Sequence, residues 1–279
     1  MKKTQILAIL NLLAFVIQVT ISYFTQFKLI NDQDVGQVSD AYDSVFTPAG
    51  ITFAIWGVIY TALLFFCIYH IRMAFKYEYS HPANLNVRRM GVWFMLSNIG
   101  AAAWLLVWTK GLITASMGLI IFQLIALIII NLRLNIHDPH SRTGSKIFTQ
   151  FPLSIYFGWL TIATIANISI YLLASGWKGF GLDYSPVEWT RIMIGIAVFL
   201  TVLVVFTRRN VFFGLVIVWA LYGIILKRES INPTIYADVI KTAWIGLGIV
   251  AASCILQFIL NITAKKKLPL FPQAASSAK

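Results

Sequence analysis

The sequence predicts an all-α integral membrane protein of about eight transmembrane helices, and three observations predict it. Of 279 residues, 59% are hydrophobic and only 11% are charged, whereas soluble domains carry about a quarter charged residues. Eight apolar runs, charged only within three residues of an end at Arg72, Arg133, Arg191 and Lys241, come near the roughly 20 residues needed to cross a bilayer core of about 30 Å at about 1.5 Å per residue. The 22 Lys and Arg residues, set against 10 acids for a net charge of +12, fall almost entirely between those runs.

The runs cover residues 6–24, 51–75, 90–108, 113–134, 151–175, 189–206, 211–226 and 239–262. The first follows Lys2 and Lys3, as a signal peptide would. Its apolar stretch exceeds a signal core, however, and no small-x-small cleavage site follows Ile21-Ser22-Tyr23-Phe24, so it reads as a retained helix. The seventh is the shortest. With the N-terminus inside, one face collects 15 basic residues, among them Lys2, Lys3, Arg72, Lys76, Arg88, Arg89, Arg133, Arg208 and Arg209, against Glu78 and Asp138. The other face carries Lys28, Lys110, Lys178, Arg191, Lys227, Arg228 and Lys241 with eight acids. Cytoplasmic loops retain Lys and Arg, so the basic balance is a topology signal and not a nucleic-acid footprint. Both termini are expected in the cytoplasm, and the expected location is a bacterial cytoplasmic membrane.

The span centres contain no Asp, Glu, Lys or Arg. Ionisable groups at that depth mark ion and proton pathways, so the pattern argues against a proton-coupled pump, a Schiff-base photoreceptor or a voltage sensor. His70, near the inner end of the second span beside Arg72, reads as an interfacial histidine. Cys67 and Cys254 lie singly inside apolar runs, without disulfide or metal spacing. His137-Asp138-Pro139-His140 contains metal-ligand types but reads as a solvated turn near Arg142 and Lys146. Lys265-Lys266-Lys267 reads as a basic anchor at anionic head groups. No phosphate-cradling glycine loop or hydrolytic triad is present.

The membrane interior is instead aromatic and neutral polar. Of nine tryptophans, Trp108, Trp177 and Trp189 near outer helix ends suit the interfacial belt. Trp56 and Trp159 lie roughly 10–15 Å deep by residue count. Helical spacing aligns Phe53, Trp56, Tyr60 and Cys67 in the second span. It aligns Trp93, Ser97, Gly100 and Trp104 in the third, with Asn98 beside them, and Tyr156, Trp159 and Ala163 in the fifth, with Asn167 nearby. Such stripes serve either packing or a pocket, and spacing alone does not separate the two.

The stretch Phe46-Thr47-Pro48-Ala49-Gly50-Ile51-Thr52-Phe53-Ala54-Ile55-Trp56-Gly57-Val58-Ile59-Tyr60 resembles the start of the second helix in the TspO/MBR family of tryptophan-rich sensory and translocator proteins. Pro152, Tyr156, Trp159, Thr161, Ala163 and Asn167 are similar to the family's fifth-helix pattern, and Ser97-Asn98 to its third. Where the family carries a tryptophan three residues after that asparagine, this chain has Ala101. Where it carries paired tyrosines after the fifth-helix asparagine, this chain has Ile168-Ser169-Ile170, and no sterol-contact motif can be drawn around Tyr171.

The resemblance implies a TspO-like five-helix membrane domain over residues 1–175, three additional transmembrane helices over 176–264 and a basic cytoplasmic tail over 265–279. It further implies a membrane receptor or carrier that binds porphyrins, haem or similar planar hydrophobic ligands in an aromatic pocket, acting as a stress or light/oxygen sensor. The ligand-binding residues expected are Phe53, Trp56, Tyr60, Asn98, Trp104, Tyr156, Trp159 and Asn167, with no catalytic residue, no metal and no required cofactor. The acidic segment 31–43 is either a lid or an ordinary solvated loop. Tryptophan-dependent photo-oxidative porphyrin breakdown is the enzymatic alternative, and a small-molecule transporter or interaction scaffold the third. Expected partners are membrane lipids and a hydrophobic small molecule, not nucleic acid, and a homodimer is left open.

Overall fold

The computed structural model of the chain describes residues 2–42, 44–136, 141–177 and 184–266. Among these residues the fold is helical throughout, with no strand. The elements are α1 (Lys3–Gln26), the short α2 (Val35–Ala41), a 3-10 turn (Gly50–Ala54) leading into α3 (Ile55–Lys76), α4 (Pro82–Met90), α5 (Trp93–Trp108) and α6 (Ile113–Leu134). The turn α7 (Thr143–Ser145) passes through a π-helical turn into α8 (Phe151–Ala174), followed by α9 (Pro186–Arg208), α10 (Val211–Ile231) and α11 (Ala237–Lys266). The turn His137–His140 and the basic side chains Lys265–Lys267 and Lys279 lie outside what the structure describes. Among the described residues no three metal-ligand side chains cluster.

Local chemistry sets the helix ends. Ser185 accepts from the Glu188 N–H while the Glu188 carboxylate accepts back from the Ser185 N–H, and Pro186 occupies the first helical position of α9. Asn210 caps α10 by accepting from the Phe213 N–H at 3.0 Å. Arg209 at φ +54° and Asn135 at φ +46° end α9 and α6 in the left-handed conformation.

Among the described residues seven helices are long and apolar enough to cross a membrane, and the count rises to eight when the bent pair α4 with α5 is taken as one span. This refines the third predicted span. α5 has 16 residues, and α4 turns away from it by 53°. The break falls at Gly91, whose φ of +62° with ψ of −132° is a conformation that favours glycine. α4 carries Asn84, Asn86, Arg88 and Arg89, so it is amphipathic where α5 is apolar.

The cap of α4 is titratable. His81 Nδ1 accepts from the Ala83 N–H at 3.3 Å, and partial burial followed by the Arg142 charge holds its pKa below the ordinary imidazole value. The unfolded chain therefore binds that proton more tightly. The cap contributes fully above about pH 6.5 and is lost as pH falls below it. A small drop in thermal midpoint between about pH 7.5 and pH 5.5 is expected, and His81→Asn, a cap that does not titrate, should reduce that drop. An unchanged drop would remove His81 as its source.

Helices α1, α3, α5, α6 and α8 close into a ring: α1 packs on α3 and α5, α5 on α6, α6 on α8, and α8 back on α3. The last three helices pack on one another, and α10 lies along α8 and against the 3-10 turn. One apolar core runs through both groups, joining Ile59, Phe94, Leu153 and Trp159 to Phe213, Ile217, Leu221 and Ile224. Glycines allow this approach. A Cβ on Gly158 would stand 2.9 Å from the Phe213 carbonyl oxygen, and one on Gly214 would meet the Cys254 thiol and Val205. Outward faces expose Phe65, Phe199, Ile245 and Ile255, as lipid contact requires. His70 is buried rather than interfacial, with Nε2 3.1 Å from the Thr149 hydroxyl.

Candidate functional site

Two adjoining cavities lie beneath α2. The larger, about 430 Å³, is bounded by Val19, Ser22, Tyr23 and Gln26 of α1, the start of α2, Trp56 and Tyr60 of α3, and Trp104 of α5. The smaller, about 50 Å³, is bounded by Phe46, Pro48, Trp108, Trp159, Asn167, Ala220 and Ile224 among others. Val35, Phe53 and Trp104 line both, so those three side chains form the partition of one two-lobed chamber.

Trp159 stands at the centre of the aromatic wall. Its ring meets Phe53 edge-on at 6.0 Å and 84°, and Trp56 edge-on at 6.0 Å and 83°. Trp56 leans on Tyr60 at 5.1 Å, and Trp104 stacks on Trp108 at 5.3 Å. Each spacing falls within the range where aromatic quadrupoles attract. The Tyr60 hydroxyl accepts from Gln18 Nε2 at 2.9 Å and donates to the Ser22 hydroxyl at 3.0 Å, which holds the phenol against α1. The indole N–H groups of Trp104 and Trp159 are buried without a protein acceptor.

Six of the eight predicted residues line these cavities: Phe53, Trp56, Tyr60, Trp104, Trp159 and Asn167. Asn98 and Tyr156 line neither cavity. Asn98 is fully buried and donates to the Phe94 carbonyl one turn back at 2.7 Å, which turns its amide onto its own helix. Tyr156 is packed behind Trp56, with ring centroids 6.3 Å apart. Asn167 faces Ser116 of α6 at 3.4 Å.

Trp108 is not a belt residue. It is only 3% exposed, lines the smaller lobe and donates its N–H to the Val35 carbonyl at 3.1 Å. That bond fastens the acidic segment over the chamber. The segment forms α2, with Asp34 capping it and Val38 and Ser39 buried beneath, so within the described residues it covers the opening as a lid. Asp43 lies outside them. Asn31 bonds Thr109 beyond the end of α5, and Asp40 pairs with Lys227 of α10.

The second set of fastenings comes from α10, which sequence reasoning had kept apart from the pocket. The Ala49 N–H donates to the Gly223 carbonyl at 2.9 Å, Trp219 Nε1 donates to the Thr52 carbonyl at 3.0 Å, and Arg228 Nη2 donates to the Thr47 carbonyl at 3.5 Å. Arg228 is 2% exposed and lies over the Tyr236 ring at 4.9 Å. The loop carrying Phe46, Pro48 and Phe53 is thus held from behind by α10, whose Ala220 and Ile224 complete the wall. Phe46 and Pro48 were visible inside the quoted motif. Ala220 and Ile224 carry no chemical signature that spacing can detect.

No curated protein and no solved structure matches the chain. A family model described as TSPO-like protein matches residues 8–256, a stretch that begins in α1, ends in α11 and takes in every residue named above as lining the chamber. An integral membrane protein with a five-helix ring, a lidded aromatic chamber and a family match across nearly its whole length, the chain belongs to the TSPO-like family.

Proposed function

We propose that the chamber binds planar, largely apolar polycyclic ligands of the porphyrin class, within the membrane ligand-binding and sensor role that family membership supports. The observation that carries this reading is the meeting of Phe53, Trp56 and Trp104, from three separate elements, around an open volume of about 430 Å³, with Trp159 of α8 edge-on behind Phe53 and Trp56 in the wall of the smaller lobe. That volume falls within the roughly 300–1,000 Å³ of small-molecule pockets. Aromatic walls offer π faces to a macrocycle, each pair adding about 0.5–1.5 kcal/mol beyond area burial.

The test is a titration of the detergent-solubilised chain with protoporphyrin, followed in the dark by the porphyrin absorption band and by tryptophan quenching. Saturable binding is expected, with faster porphyrin release in Trp108→Phe, which removes the lid bond to Val35. A linear, unsaturable response would end the proposal. Loss of the absorption band only under light and oxygen would reassign the same chamber to photo-oxidative turnover.

A further inference from the structure

A third cavity, of about 290 Å³, lies on the opposite half of the molecule from the chamber. Helix α6 packs on α5 and α8, and α9 on α10 and α11. Between α6 and α9 a cleft is left, floored by Phe157 and Thr161 of α8 and Phe213 of α10. Its lips are apolar and face outward: Ile128 and Leu132 on α6, Leu200 and Leu203 on α9, between 37% and 51% exposed. One end is polar, where Asn131, Thr207 and Arg208 meet.

We propose that this cleft holds one anionic phospholipid, with an acyl chain along the groove and its phosphate at Arg208. Three observations support it. From Leu124 to Leu132 the groove follows α6 for about 12 Å at about 1.5 Å per residue, with Ile136 lining it just past the helix end, so its depth comes near the half of a hydrocarbon core of about 30 Å that one leaflet occupies. The groove contains one charged side chain, Arg208, and no acid. Neither ion pair among the described residues, Arg191 with Asp238 or Lys227 with Asp40, involves it. The neighbouring Arg133 is turned elsewhere, over the Trp93 ring at 5.8 Å. Arg208 therefore stands at the lipid-facing end of an apolar slot with its charge unspent, complementary to a phosphate. This end also carries the chain's basic residues, on the face that the positive-inside rule assigns to the cytoplasmic leaflet, where anionic lipids concentrate.

The corner that presents Arg208 is fixed. Arg209 takes the left-handed conformation, and its carbonyl accepts from Asn261 Nδ2 at 3.2 Å. Arg209 does not line the groove, which makes it the matched control.

The experiment is native mass spectrometry of the full chain delipidated in mild detergent and then supplied with phosphatidylglycerol or phosphatidylcholine of identical acyl composition. Wild type is expected to retain one phosphatidylglycerol at least tenfold more tightly than phosphatidylcholine. Arg208→Gln should abolish that preference while Arg209→Gln keeps it. Val204→Trp, which fills the groove, should lower retention of both lipids with the thermal midpoint checked alongside. Equal retention of the two lipids by wild type, or an equal loss in Arg208→Gln and Arg209→Gln, would overturn the proposal, since either marks ordinary surface attraction. Undiminished retention in a folded Val204→Trp would overturn it as well.

Discussion

Replacing Gly223 with alanine is expected to lower both the thermal midpoint and the affinity for porphyrin. A Cβ at this position would stand 2.0 Å from the Thr52 hydroxyl oxygen and 2.9 Å from its methyl group. Thr52 is wholly buried and β-branched, so it has little room to rotate away. The strain must then be relieved by separating α10 from the loop, which breaks the Ala49 N–H bond to the Gly223 carbonyl and the Trp219 bond to the Thr52 carbonyl. Overpacking of this kind costs about 1–3 kcal/mol. Because Phe53 and Pro48 ride on the same loop, the chamber loses its shape as well. Thr52→Ala removes both clashing atoms, and the double variant should recover most of both losses. This is a coupling that a double-mutant cycle reads directly. An unaltered midpoint and affinity in Gly223→Ala alone would show that the roof is not held from α10.

Trp159→Phe is expected to separate binding from folding. The indole sits edge-on to both Phe53 and Trp56, and its buried N–H has no acceptor in the protein. Phenylalanine keeps an aromatic ring at the position and removes a buried donor that has no protein acceptor, so the stability change should stay within about 1.5 kcal/mol. With ligand present the account reverses. The lost ring area should weaken porphyrin binding about tenfold or more, each tenfold being about 1.4 kcal/mol. A half-buried indole outside the chamber supplies the comparison: Trp219→Phe breaks a satisfied bond to the Thr52 carbonyl and should cost stability first. If Trp159→Phe binds porphyrin as wild type does, the guest does not touch this wall.

The sequence was most informative where physics imposes a long, uniform constraint. Crossing a bilayer demands uninterrupted apolar residues, so seven spans could be read within a few residues of their ends. The third was harder, because its bend depends on the backbone torsion of Gly91 and on α4 being amphipathic, and neither interrupts the run counted from Met90. In the site, Phe53, Trp56, Tyr60 and Trp159 were legible because large aromatics at helical spacing stand out. Asn98 and Tyr156 looked equivalent on the same count. Spacing gives the side of a helix a residue occupies, but not whether its amide returns to its own backbone or its ring is covered by another. The share of α10 in the chamber was illegible for a different reason. Gly223, Ala220 and Ile224 act through closeness of approach, a property of two helices that appears in neither one's residue pattern. Trp108 was misplaced by depth alone, since a helix end beneath a folded loop is no longer at the water boundary.

The 16 residues of α5 rise about 24 Å, against a hydrocarbon slab of about 30 Å. That shortfall is hydrophobic mismatch, and it falls on the helix that carries Trp104 and Trp108. On this flank the lipid must thin, or the arginine-bearing α4 must fill the gap with Arg88 and Arg89 reaching toward the head groups. Bilayer thickness thereby acts on the chamber's own wall, so membranes of shorter or longer acyl chains should tune occupancy without any change in the guest.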